Sequence, residues 1–95
     1  MAKWQLEFSE KALKELKDLE KSVANFIILG LKNFILHYDH AYEQELLKTQ
    51  KIKKLKGSLD GFYRLRLRSF RVIYQKLDDR LVIYVLRVSD RKDAY

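Results

Sequence analysis

The sequence predicts an α+β fold: a short N-terminal strand, a two-helix hairpin, then an antiparallel β-meander, stacked as a two-layer sandwich. Trp4, Leu6 and Phe8 alternate with polar residues, the signature of a half-buried strand. Two stretches with apolar residues at helical spacing follow it. Three β-rich runs, Phe62–Leu67, Phe70–Leu77 and Leu81–Val88, then come with only Arg68-Ser69 and Asp78-Asp79-Arg80 between them. Breaks that short join antiparallel neighbours, because parallel pairing needs a long crossover.

Each element has a local reason. Ser9 suits a helix N-cap, and Glu10 sits where a helix dipole favours an acid. Ala12, Leu13, Leu16 and Leu19 supply the apolar stripe of the first helix, and its Glu, Asp and Lys residues read as a solvated face. A second, more apolar helix runs from about Ser22 to His37, with Val23, Phe26, Ile27, Phe34 and Ile35 as core residues. Gly30 inside it costs about 1 kcal/mol relative to Ala, which suggests close approach of another helix backbone. Asp39 can cap a further turn or two through Ala41–Leu47. Lys51–Lys56 alternates weakly around Ile52, and Gly57-Ser58-Leu59-Asp60-Gly61 reads as a turn.

Ninety-five residues make one domain, spanning 1–95, without room for a second core. Hydrophobic content of 47% argues against disorder despite 35% charged residues. With no cysteine there is neither a disulfide framework nor a thiolate metal site, which fits a reducing compartment. The start has no apolar signal region, and Val23–Tyr38 is interrupted by polar residues and too short to span a bilayer. These features predict a soluble, cytoplasmic domain with no membrane partner.

Charge is the most uneven property of the chain. The net +7 is a strongly basic centre flanked by near-neutral arms, for Lys48–Lys76 holds ten Lys and Arg against the single acid Asp60. Within it, Tyr63-Arg64-Leu65-Arg66-Leu67-Arg68 alternates apolar with cationic residues. On a strand that spacing sets Arg64, Arg66 and Arg68 on one face and sinks the leucines into a core. Arg71 follows on a strand expected to pair with theirs. Crowded guanidiniums repel unless they share an anion, and their planar donors match phosphate oxygens. Lys51, Lys53, Lys54 and Lys56 extend the positive field, so the region is predicted to bind nucleic acid. In the tail, Arg91 adds a guanidinium and Tyr95 a ring able to stack on an unpaired base.

Other chemistries find no support. His37 and His40 lack the carboxylates or cysteines that would complete a metal site, and no phosphate-binding Gly loop, GxSxG elbow or HExxH helix is present. No metal and no cofactor are expected.

Taken in order, Leu55-Lys56-Gly57, Phe62-Tyr63-Arg64-Leu65-Arg66-Leu67, Phe70-Arg71-Val72-Ile73-Tyr74 and Val88-Ser89-Asp90-Arg91 with Tyr95 beyond resemble the RelE/ParE superfamily of toxins from type II toxin–antitoxin pairs. The resemblance covers essentially the whole chain. It implies a small twisted sheet cradling RNA on a basic concave face, with the helices on the other side. Its RelE-like branch cleaves mRNA in the ribosomal A site, and its ParE-like branch poisons DNA gyrase.

In the RNase branch, basic residues on the first long strand match Arg64 and Arg66, and one at the start of the next strand matches Arg71. The tail basic and aromatic residues match Arg91 and Tyr95. The resemblance therefore implies a metal-independent, ribosome-dependent endoribonuclease using those five residues, held in check by a cognate antitoxin. Gyrase poisoning and non-catalytic RNA binding are the alternatives. Three departures stand out: the strand pair is Arg-x-Arg where Lys-x-Lys is common, Asp90 replaces a Gly-Lys or Gly-His, and the tail is short.

Overall fold

A computed structural model describes residues 4–90 of the chain. Its elements are β1 (Gln5–Phe8), α1 (Glu10–Lys17), α2 (Lys21–Leu36), α3 (His40–Lys48), β2 (Ile52–Lys54), a 3₁₀ turn (Gly57–Leu59), β3 (Phe62–Leu67), β4 (Phe70–Leu77) and β5 (Val82–Asp90). The strands form one sheet in the order β1-β5-β4-β3-β2. The meander from β3 to β5 is antiparallel as expected, β2 adds antiparallel to β3, and β1 lies parallel to β5, with Gln5 opposite Val82 and Phe8 opposite Val85.

The helices exceed the expected hairpin by one. Asp39 caps α3, its Oδ1 accepting from the Tyr42 amide at 2.8 Å, so the turn or two it can start becomes a helix of 9 residues. Ser9 caps α1 by accepting from the Ala12 amide at 3.0 Å and donates its hydroxyl proton to the Leu86 carbonyl at 2.7 Å. One serine thus starts a helix and moors it to β5.

A single core lies between the helices and one face of the sheet. Ala12, Leu16, Ile27, Leu31 and Phe34 meet Ile52, Leu65, Leu67, Val72, Tyr74, Ile83, Val85 and Val88 there. Leu65 and Leu67 are both buried, so the leucines of the alternating strand anchor it as expected. At Gly30 the close neighbour is not a helix backbone. A Cβ there would come within 3.1–3.2 Å of the Leu67 methyl carbons, so the glycine lets α2 settle onto β3.

Among the described residues β5 has no partner strand on its outer side beyond Val85, and α1 covers that edge. The Glu15 carboxylate accepts from the Val88 amide at 2.8 Å and from the Arg87 guanidinium at 2.9 and 3.1 Å. This contact blunts an edge that would otherwise offer free donors for pairing. It also corrects the reading of α1's acids as uniformly solvated.

A buried polar cluster locks α3 to the sheet. Glu43 is buried, and its carboxylate accepts from the Tyr38 hydroxyl and from Lys76 Nζ, the latter at 2.9 Å. Burial alone would raise the Glu43 pKa, but the Tyr38 and Lys76 hydrogen bonds reverse that and hold it below the ordinary value. Burial pulls the Lys76 ammonium the other way, and the Glu43 contact leaves it raised.

Candidate nucleic-acid interface

Directly opposed residues on neighbouring strands share a face, so the register assigns the sheet's second face row by row. Arg66 opposes Arg71, which opposes Ser89. The next row is Lys53, Arg64, Ile73 and Arg87. Every one of these lies on the side away from the Leu65 and Val72 core. The sequence expectation that Arg71 joins Arg64 and Arg66 is therefore met.

Local geometry explains how the cations are held. Gln50 adopts a left-handed φ of 63° in the link from α3 to β2. Its carbonyl accepts from Arg64 Nη2 at 2.9 Å and from Arg66 Nη2 at 3.5 Å. A neutral carbonyl orients a guanidinium without cancelling its charge. Ile73 is buried although it lies outside the helix-side core, with Arg64 and Arg87 opposite it on the neighbouring strands. Arg66 facing Arg71 puts like charges in direct cross-strand opposition, a pairing that destabilises the fold. A shared anion relieves it.

Arg68 departs from the expected file. The strand ends at Leu67, Arg68 takes a left-handed φ of 55°, and its guanidinium lies 4.5 Å from the centroid of the Phe26 ring on α2. It still borders a cleft of about 170 Å³ lined by Arg64, Arg66, Arg68, Ser69 and Arg71. Of the four lysines, the register brings only Lys53 into the basic rows. Lys54 opposes Tyr63 on the helix side, and Lys51 lines a separate cavity with Phe26, Gly30 and Leu67. Lys56 precedes the 3₁₀ turn and is exposed. Arg91 and Tyr95 lie outside the described residues.

Sequence reasoning missed Arg87 and the Gln50 carbonyl. Arg87 carried a faint signal, since it sits in a strand-like run, but its row depends on a bulge between the partners of Ile73 and Tyr74. The carbonyl carried none, being main chain. Neither histidine joins the site: His37 caps α2 and donates Nδ1–H to the Asn33 carbonyl at 3.0 Å, and His40 begins α3.

The arrangement can grip a polyanion and stabilise charge developing on a phosphate at Arg64, Arg66 and Arg71, whereas Arg87 at the end of the second row is already paired with the Glu15 carboxylate. Comparison with known proteins agrees with that chemistry. Residues 6–95 match the family described as the ParE toxin of the type II toxin–antitoxin system parDE. A Methanocaldococcus jannaschii protein named for the toxin RelE1 is 36% identical over 98% of this chain and 96% of its own length. The mRNA interferase toxin RelE of Escherichia coli is 33% identical over 92% of this chain and 82% of its own. Among solved structures, the toxin–antitoxin complex RelBE of E. coli aligns with a TM-score of 0.60 at 30% identity, over 94% of this chain and 96% of that one. The RelE–RelB complex of Pyrococcus horikoshii shares the fold with a TM-score of 0.69 at 24% identity, over 98% and 100% of the two chains. By near-complete coverage and shared architecture, the chain belongs to the RelE/ParE superfamily of type II toxins, on its RelE-like side.

Proposed function

We propose that this protein is the toxin of a type II pair and cuts messenger RNA on the ribosome, in the cytoplasm, by a metal-independent route. The observation that carries this reading is the cleft in which Arg66 and Arg71 face each other across β3 and β4, with Arg64 one row away. The names of the relatives, an mRNA interferase and toxins held by RelB, support it.

RNA brings its own nucleophile. The 2′-hydroxyl gives up its proton to solvent as its oxygen forms a new O2′–P bond. The P–O5′ bond breaks, and the departing 5′-oxygen takes up a proton, leaving a 2′,3′-cyclic phosphate and a 5′-hydroxyl. The protein aligns these atoms and stabilises the extra negative charge. Arginines stay protonated near neutrality, so they serve as electrostatic partners and poor general bases. Arg66 and Arg71 take the phosphate oxygens, and Arg64 with Lys53 the adjoining backbone. Arg68 and the strand-edge lysines Lys51, Lys54 and Lys56 attract the polyanion at longer range. The family resemblance assigns Arg91 to the leaving oxygen and Tyr95 to stacking on a base, and both lie outside the described residues. The ribosome supplies much of the alignment.

The test is to map message 5′ ends after brief induction of the gene. New ends clustered at the ribosomal A site are expected, and co-expression of the protein encoded by the adjoining reading frame should abolish them. The ParE name of the matching family motivates one rival, a gyrase poison. Trapped double-strand breaks with intact message would favour it.

A further inference from the structure

The basic rows do not end the sheet's second face. One row further from the cleft, Phe62 opposes Gln75, Gln75 opposes Tyr84, and Tyr84 opposes Glu7. All four residues are neither fully buried nor fully exposed. Phe62 and Tyr84 share the face of Arg64 and Arg87, whereas Tyr63 and Tyr74 stack on each other at 5.3 Å on the core side. Two rings thus stand one strand away on either side of a carboxamide, directly beside a row holding Lys53, Arg64 and the Glu15-paired Arg87.

Cationic rows that track a backbone, followed by aromatic faces that take bases, are the two components of single-strand recognition. Row spacing supports the match. Successive rows lie two residues apart, roughly 6.6 Å, so the rings sit about 13 Å along the strands from Arg66 and Arg71. That is too far to touch the nucleotide at the cleft, and near enough to reach a neighbour on the same strand. Glu7 bounds the row at the sheet edge, where Arg80 meets it at 3.5 Å. An acid there discourages the backbone from running on, which places the end of the track at Tyr84.

We infer that Phe62, Gln75 and Tyr84 form a separate subsite for unpaired RNA bases flanking the phosphate held by Arg66 and Arg71. The two rings supply stacking, and the Gln75 carboxamide meets a base edge. This rests on the RNA reading above, and it concerns where substrate is held, not how it is cut.

The test is a binding measurement that needs no turnover. Fluorescence anisotropy at low salt follows the full chain with short single-stranded RNAs, each carrying one abasic nucleotide at successive positions. For wild type, loss of a base at one or two adjacent positions should weaken binding roughly five- to hundredfold, with little effect elsewhere. Phe62→Leu and Tyr84→Leu keep apolar bulk but lose the flat ring. Checked for folding by circular dichroism, they should bind intact RNA more weakly by a similar factor and become indifferent to the abasic nucleotide at those positions. Tyr84→Phe should behave as wild type. Uniform sensitivity along the RNA, wild-type affinity in both folded leucine variants, or no measurable RNA binding would overturn the subsite. Position-specific binding with message left uncut in cells would uphold it and defeat the endoribonuclease reading instead.

Discussion

Replacing Glu43 by Gln tests whether the buried network holds α3 in place. The carboxylate has 5% of its side-chain surface exposed, and Lys76 20%. Breaking a fully buried ion pair costs about 3–5 kcal/mol, because it leaves a charge without compensation. Here the loss is smaller, since Lys76 keeps some solvent and has Asp78 at 3.7 Å. The amide oxygen can also still accept a hydrogen bond. Glu43→Gln should therefore cost about 1–2 kcal/mol, and Glu43→Ala about 3 kcal/mol as the Tyr38 hydroxyl also loses its acceptor. For a domain this size the first corresponds to a fall in Tm on the order of 10 °C.

The pH dependence has a definite sign. The folded carboxyl titrates below its unfolded value, so its stabilisation is complete above about pH 4.3 and is lost as pH falls through the lower folded pKa. Lys76 is raised on folding, so its share is complete below about pH 10.4 and is lost as pH rises through the folded value. Urea melts followed by circular dichroism should show the gap between wild type and Glu43→Gln largest near neutrality and narrowing towards pH 3. A variant within about 0.5 kcal/mol of wild type at pH 7, where only ordinary surface effects are expected, would refute the network's structural weight.

Arg71→Ala should abolish growth inhibition while raising stability by roughly 0.2–1 kcal/mol, because it removes the like charge facing Arg66. A folded, fully toxic variant would remove Arg71 from the site. Binding of single-stranded RNA should fall with salt at a log–log slope near −3.5 if about five cations meet phosphates, and a slope near zero would exclude polyanion binding. Gly30→Val should overpack the contact with Leu67 and cost about 1–3 kcal/mol in thermal or urea melts, with Leu67→Ala in the same chain recovering part of it. Strict additivity of the two substitutions would show that they do not interact.

How much was legible before the structure differs by residue, and the reason is sequence separation. The strand Phe62–Leu67 declared itself because its period of two sorts cations from leucines within six consecutive residues. The caps Ser9 and Asp39 are equally local, since each serves an amide three residues on. Family membership was legible for a related reason, as short motifs kept their order along the chain. Arg68 belongs to the same local pattern yet left the file, because the chain needed a left-handed turn residue there and Phe26 offered its ring. Contacts between distant segments were out of reach. Glu15 meets Val88, 73 residues away, and Glu43 meets Lys76, 33 away. On either helix alone such an acid is indistinguishable from one that faces water. Residue types and periodicity determined which elements form and which strand face carries the charge. Only packing decided that Arg66 meets Arg71, that β1 closes the sheet in parallel beside β5, and which helix acids bind a remote strand, because each depends on where a remote backbone comes to rest.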